Sequence, residues 1–517
     1  MNKMKRIYLS FIAALSAGFA VQAQGISKSV QVENSYEGVQ GNIRKQEVRM
    51  SIPDTLLKFG YRFNYSVFDS PYMGAYEFSP YFINIQPEPS VFDGHKFYAR
   101  LGAGYFLYPE LDLVYAPVVR ENFAFSLFAD ARGYNYSDNR DLFGNAGLEA
   151  RWSNPGNVVT LGGKYDGIFT DNRDGVSGYN SGFARFNIKS TRDGSYFYYD
   201  VDLNYRYGTE SLPASREQSE HIIEASGSIG PVLKNKYRIT VDFDFRHNIQ
   251  NGVDKVNASY VALAPKVAFL LGPVNIRIGA KFDYADAFRV APLADLDFSL
   301  FRDRFIIFAG VTGGQKRNTY YDLRSVNHRY LIAGALDDFS RVSFENFNAY
   351  GGFRGSAGSY FEYDLKAGYG MFTNAPVYSP LLSYAFEDYK KFYVELLMAV
   401  HSERFDLSGK FNYDNYTMQE GSTSYTPPKF GGLLTLRYNW ARRIFAGISA
   451  DARSEAKCSG GPEAPAFVDL GVNLEYRFNR AWGVWAKGGN LIGQEIQRIP
   501  GYKEKGPYFT LGFNLVL

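Results

Sequence analysis

The sequence predicts a transmembrane antiparallel β-barrel of about 22 strands (roughly 18–26), with short periplasmic turns and long extracellular loops. Three observations predict it: apolar residues recur with period two in segments running past ten residues, connections alternate short and long, and the chain opens on an export signal. Tyr237, Ile239, Val241, Phe243 and Phe245 alternate with Arg238, Thr240, Asp242, Asp244 and Arg246. Val468, Leu470, Val472, Leu474, Tyr476 and Phe478 alternate with Asp469, Asn473, Glu475 and Arg477. Successive strand side chains point to opposite faces, so each segment has one apolar and one charged face. A β-sandwich also alternates, but its strands are usually about 5–6 residues long. A propeller would repeat every 40–50 residues or so, and no such repeat is visible.

Composition fits the same class. The 517 residues include 41 Tyr, 43 Phe and 51 Gly but a single Cys, and mean hydropathy is −0.27. Aromatic-rich strands joined by glycine turns have this composition, and only alternate residues of a barrel strand need face lipid. A size prior of roughly 150 residues per domain suggests three domains; one texture through most of the chain argues for one. After the signal no stretch approaches about 18 uninterrupted apolar residues, so no transmembrane helix is expected.

Residues 1–23 read as a cleavable signal peptide. Lys3, Lys5 and Arg6 precede the apolar stretch Ile7 to Ala20, and Val21-Gln22-Ala23 supplies the cleavage site. A short membrane anchor is the competing reading, and the segment is short for one. The mature chain is expected to start at Gln24; mass analysis showing an intact Met1 would refute the signal. Its loss leaves 53 Lys and Arg against 53 Asp and Glu, a neutral chain, which argues against nucleic acid as a partner. Cys458, in a Gly-rich segment, is the single cysteine, so an intrachain disulfide is ruled out.

Residues 24–94 form a second unit. Pro53, Pro71, Pro80, Pro87 and Pro89 make them a poor sheet core, and they read as an extended segment in the periplasm or partly inside the barrel. Residues 95–517 form the barrel. Its short connections include Ser153 to Asn157, Thr191 to Gly194, Arg302 to Arg304, Gly355 to Ser359 and Asn479-Arg480. Its long ones include Thr170 to Ser181, Gly208 to Ser219, Lys316 to Phe344, Asn415 to Thr426 and Arg453 to Pro465. Shared among 22 strands, this leaves about 19 residues per strand and connection, enough for a crossing of roughly 9–11 residues. The last segment places Phe509, Leu511, Phe513, Leu515 and Leu517 on one face and Tyr508, Thr510, Gly512 and Asn514 on the other.

Several of these residues carry a family resemblance. Ala23-Gln24 after the signal, the Val30-Gln31-Val32 start, Tyr36, and Pro53 leading into a Tyr/Phe-rich stretch resemble Bacteroidetes-type outer-membrane barrels grouped with TonB-dependent receptors. Lys487-Gly488-Gly489-Asn490-Leu491, followed by a long loop and a final strand, is similar to the end of such a receptor barrel. The resemblance implies an outer-membrane location and recognition of the terminal strand by the barrel-assembly machinery, with Leu517 where an aromatic residue is usual. A receptor plug exceeds a hundred residues and about 70 precede this barrel, so a barrel without a full plug is implied. Ser29-Val30-Gln31-Val32 is only a faint echo of a TonB box.

Catalytic patterns are missing. His95, His221, His247, His328 and His401 are scattered without metal-ligand spacing and read as loop or lumen residues. No G-x-S-x-G elbow occurs. A calcium loop around Asn172-Arg173-Asp174-Gly175 fails, because Thr170 and Ser181 stand where acids are required. The expectation is a non-enzyme with no catalytic, cofactor-binding or metal residue; the substrate-binding residues stay unknown. Inward charges such as Asp242/Arg246 and Glu475/Arg477 suit internal ion pairs as readily as a solute path, and aromatic residues near strand ends suit a membrane girdle better than a sugar platform. The functional expectation is a transport channel or receptor-like barrel for small solutes, since so wide a lumen is either plugged or conducting. The alternative is a non-enzymatic structural or assembly subunit, with loops or residues 24–94 docking periplasmic or outer-membrane proteins.

Overall fold

A computed structural model describes residues 96–517 except 106–108, 121, 137–138, 173–174, 191–196, 213–215, 234–236, 252–254, 302–303, 327–341, 359, 381–383, 442, 459–462 and 505. The signal peptide, the segment 24–94, His95 and His328 lie outside the described residues. Among the described residues no helix is long and apolar enough to cross a membrane.

The strands are β1 (Phe97–Gly104), β2 (Glu110–Val119), β3 (Phe123–Tyr136), β4 (Asn139–Ser153), β5 (Asn157–Asn172), β6 (Gly175–Ser190), β7 (Phe197–Leu212) and β8 (Arg216–Leu233). They continue as β9 (Tyr237–Asn251), β10 (Lys255–Leu271), β11 (Val274–Tyr284), β12 (Phe288–Phe301), β13 (Phe305–Arg317), β14 (Val342–Ala357), β15 (Phe361–Tyr378) and β16 (Tyr384–His401). Then follow β17 (Phe405–Met418), β18 (Tyr425–Thr426), β19 (Phe430–Trp440), β20 (Ile444–Arg453), β21 (Lys457–Cys458), β22 (Phe467–Arg477), β23 (Trp482–Gly489) and β24 (Tyr508–Val516). Among the described residues one helix, α1 (Tyr320–Val326), follows β13. All strands but β18 and β21 form one 22-stranded antiparallel sheet. It closes when β24 pairs with β1, Tyr98 opposite Val516 through Gly104 opposite Thr510. Closure leaves no edge, so every strand's backbone is hydrogen-bonded within the ring.

The two faces separate as the alternation requires. Phe509, Leu511, Phe513 and Leu517 are exposed outward, while Tyr508, Thr510 and Asn514 are buried inward. Phe123, Trp152, Phe197, Tyr237, Trp440 and Trp482 stand exposed near the rim where the ring's chain enters and leaves. Tyr165, Phe169, Tyr207, Tyr284, Phe288 and Phe430 stand exposed at the other level. Phe197 and Tyr207 share a strand ten residues apart, about 24 Å of height at the usual rise and tilt. That matches an apolar band of about 25 Å between two aromatic girdles.

The closure seam shows why small residues sit where they do. Gly102 and Gly512 face each other across β1 and β24, and the buried Trp485 ring covers both; a Cβ on either would fall 2.4–2.5 Å from that ring. The Arg100 guanidinium lies 4.1 Å over the ring. Lys487 donates to Glu110 at 2.8 Å, and Asn514 to Glu475 at 2.9 Å. Gly512→Leu would collide with Trp485 and with the Leu101 carbonyl. It is expected to reduce strongly the yield of folded barrel, read as the band that migrates fast before boiling.

Connections at the entry rim are two to six residues long. The opposite rim differs from expectation in one arc. The segments Thr170 to Ser181 and Gly208 to Ser219 are not loops: β5–β6 pairs on to Asn172 opposite Gly175, and β7–β8 to Leu212 opposite Arg216. Many strands therefore run to 14–18 residues rather than 9–11. Above the hydrocarbon the outer face meets water, so the ladder continues after the apolar alternation that marked it has ended. On the other arc the connections 318–341, 419–429, 454–466 and 490–507 are long.

Candidate functional site: the capped mouth of the barrel

The described parts of the long connections fold over the mouth of the barrel. Helix α1 begins with a local signal. Thr319 is its N-cap: its hydroxyl accepts the Asp322 amide at 3.0 Å, and the Asp322 carboxylate accepts the Thr319 amide at 3.4 Å. This reciprocal pair satisfies donors at a helix start. A seven-residue helix is marginal alone, and the inner wall supplies the rest. Glu220 of β8 accepts the amides of Tyr320 and Tyr321, each at 3.0 Å. Arg246 of β9 bridges Asp322 at 2.8 Å and Glu224 at 2.7 Å. Arg324 is ion-paired with Glu210 of β7, both fully buried. Arg206 stacks 3.6 Å over the Tyr321 ring while bonding Ser181 at 3.0 Å.

The same helix reaches another part of the ring. Tyr384, at the start of β16, donates to the Leu323 carbonyl at 2.8 Å, and Tyr320, Leu323 and Tyr179 of β6 form one apolar cluster with Tyr384 and Phe386. Strands β6 and β16 lie ten apart in a ring of 22, close to opposite. A helix about 10 Å long therefore links two facing walls across the mouth.

Tyr384 also joins a second cluster, of Tyr378, Tyr425, Ala456, Ala464, Ile499 and Tyr502. It ties the β15–β16 hairpin to the three long loops after β17, β20 and β23. The last of these is locked by Arg498, which reaches Asp469 at 2.7 Å, Asp451 at 3.0 Å and Glu504. Burial alone would lower the Arg498 pKa; Glu504, Asp451 and Asp469 outweigh it and hold the guanidinium charged, well above the usual arginine value. At the foot of this loop Asn490 takes a left-handed turn, φ 48°. Its side chain binds the Gln494 carbonyl at 2.8 Å and accepts the Gln494 amide at 3.1 Å, a role asparagine tolerates well.

Below the cap the lumen wall is charged and internally matched. Lys164–Asp166 and Arg185–Asp202 both meet at 2.6 Å, Arg354–Asp297 at 2.8 Å and Lys391–Asp414 at 2.9 Å. Glu475 and Arg477 pair at 2.7 Å. Asp242 pairs with Lys266, not with Arg246, which is taken by Glu224 and Asp322. Two histidines are also elsewhere than expected: His221 and His247 occupy the outward-facing positions of β8 and β9. Tyr205 meets His221 at 2.9 Å, and Ser259 meets His247 at 2.9 Å. A girdle tyrosine for His221 and a serine of the next strand for His247 give these rings a partner on the outer face. His401 stays inward, 3.2 Å from Asp406. The Cys458 thiol donates to the Thr423 carbonyl at 2.9 Å. Among the described residues no cluster of three His, Cys, Asp or Glu is placed to hold a metal.

No protein-family model and no curated protein matches the chain. Solved structures do. The FrpB iron transporter from Neisseria meningitidis superposes with a TM-score of 0.66 at 8% identity, over 82% of this chain and 81% of that one. The copper transporter OprC gives 0.63 at 10%, over 82% and 80%. The siderophore receptor PirA from Pseudomonas aeruginosa gives 0.59 at 13%, again over 82% and 80%. What these proteins share with the chain is the fold, a large closed β-barrel. The alternation and strand count read from the sequence agree with the closed 22-stranded ring. What the sequence missed is α1 and its tethers. The Thr319–Asp322 spacing was a usable signal for the helix start.

Proposed function

We propose that this chain is an outer-membrane transport barrel for small solutes, and no enzyme, whose extracellular mouth is gated by α1 and the loops that pack with it. One observation carries the reading: a 22-stranded ring with a charged inner wall is bridged at its mouth by a helix held through ion pairs and hydrogen bonds rather than by continuous sheet. Rings of this size enclose a lumen that side chains alone do not fill, and the cap stands where it controls entry. The fold neighbours are named as iron and copper transporters and a siderophore receptor, which supports import rather than scaffolding. The rim with short connections is periplasmic in this reading and the long-loop rim extracellular, as is usual for such barrels.

The remaining parts follow the same frame. Residues 24–94, after the signal 1–23, lie in the periplasm or partly in the lumen in this reading. The terminal strand β24, which closes the ring, is the handle for the assembly machinery. Asp322→Ala removes the carboxylate half of the helix cap and the Arg246 pair. It is expected to raise single-channel conductance in planar bilayers at least threefold over the unaltered protein. Equal conductance would mean that α1 does not gate the mouth.

A further inference from the structure

The recess beneath α1 has a composition that its present role does not require. Glu210 of β7 stands directly opposite Gln218 of β8, and Glu220 of β8 directly opposite Gln250 of β9. Gln218 and Glu220 share the inward face two positions apart, so the four side chains form one patch of two carboxylates and two amides. Tyr179 and Tyr320 wall the same recess. Gly208 is part of the construction: a Cβ there would meet the Tyr179 hydroxyl at 2.5 Å.

The occupant of this patch is Arg324, 2% exposed and paired with Glu210. It leaves the patch incompletely used. Gln218 Oε1 and both polar side-chain atoms of Gln250 are buried without a hydrogen-bond partner, on residues only 6% and 2% exposed. No space is left for a water between them and the helix. Buried polar groups are almost always satisfied, so two orphaned amide oxygens beside two carboxylates are not what a purely structural contact selects. A guanidinium has five donors in one plane and no acceptor. Carboxylate and amide oxygens with tyrosine faces beside them match that group, and Arg324 already presents it.

We propose that this patch is a binding site for a guanidinium-bearing solute, with Arg324 acting as a tethered internal occupant that the solute displaces. The inference rests on the transport reading and names the solute class for it. Displacement would free Glu220 from the helix amides as well as Glu210 from Arg324, so an entering cation gains two carboxylates at the moment the cap lets go. Cation binding and gate opening are then one event.

The test uses the full chain in detergent with two probes, L-arginine amide and L-citrulline amide. Citrulline keeps the shape of arginine and replaces the guanidinium by a neutral urea. By titration calorimetry, Arg324→Gln is expected to bind arginine amide at least tenfold more tightly than the unaltered protein does. Citrulline amide is expected to bind that variant at least tenfold more weakly than arginine amide, and adding Glu210→Gln is expected to abolish the gain. Thr319→Ala, which loosens the helix cap and leaves the patch intact, is expected to shift affinity in the same direction; it decides the matter if Arg324→Gln does not assemble. No gain in either variant, or equal binding of the two amides, would overturn the site. Bilayer recordings on the same preparations separate the two readings. A barrel that conducts without preference for arginine amide loses only the site, whereas one silent even as Asp322→Ala loses the transport reading.

Discussion

Arg498→Ala is expected to undock the loop 490–507 from the mouth. The guanidinium is shared by Asp451, Asp469 and Glu504 in a buried setting, and removing one side of such a network leaves like charges uncompensated, a loss of about 3–5 kcal/mol. The ring itself should survive, because β23 and β24 remain paired from Trp482 opposite Leu515 to Gly489 opposite Tyr508. Limited trypsin treatment of the barrel in lipid vesicles reads the change: cleavage after Lys503 should accelerate at least tenfold in the variant. Arg498→Lys, which retains one charge but not the forked geometry, should fall between. An unchanged cleavage rate would mean that Tyr502 and Ile499, packed in the neighbouring apolar cluster, hold the loop without the ion pairs.

The two faces of β9 should respond in opposite ways to charge. Phe243 points outward between Leu263 of β10 and Gly227 of β8, about midway between the girdle residue Tyr237 and His247 at the upper girdle. Phe243→Arg sets a cation against hydrocarbon, at about 2–4 kcal/mol near the midplane. Asp244, one residue on, faces the wide lumen, so Asp244→Asn should leave assembly within experimental error. Urea titration in lipid vesicles, followed by gel mobility before boiling, compares the two. Equal damage would mean that the facing is wrong.

The ring was legible because its constraint is local. Lipid on one side and water on the other force period two on each crossing segment, so Tyr237 through Arg246 declare both strand and facing without any partner. The tops of the strands were not legible for the same reason. Where β5–β8 rise above the bilayer, the outer face no longer meets lipid and the apolar alternation ends, so Asp171, Asn172, Gly175 and Ser177 read as loop although their backbones stay paired. The cap was hidden by sequence distance. Glu220 and Tyr320 are 100 residues apart, and Arg246 and Asp322 are 76 apart; nothing local in a scattered charge announces its partner. Asp242 shows the limit most plainly, since the same-strand Arg246 looked like its mate and Lys266 of the next strand is. Tyr179, Gln218 and Gln250 carried no signal at all, because their meaning arises only when three hairpins and a returning loop bring them together.

The central claim is a closed barrel with β9 crossing the bilayer, lipid outside and water within. Nitroxide scanning of residues 237–247 tests it most directly. Cys458 is the chain's single cysteine, so a Cys458→Ser background makes each label unique. The account predicts a period of two: labels at 239, 241, 243 and 245 relax fastest with oxygen, peaking near 243, and labels at 240, 242, 244 and 246 relax fastest with a water-soluble nickel chelate. Accessibility to the chelate at every position, or oxygen accessibility without alternation, would contradict a membrane-spanning barrel.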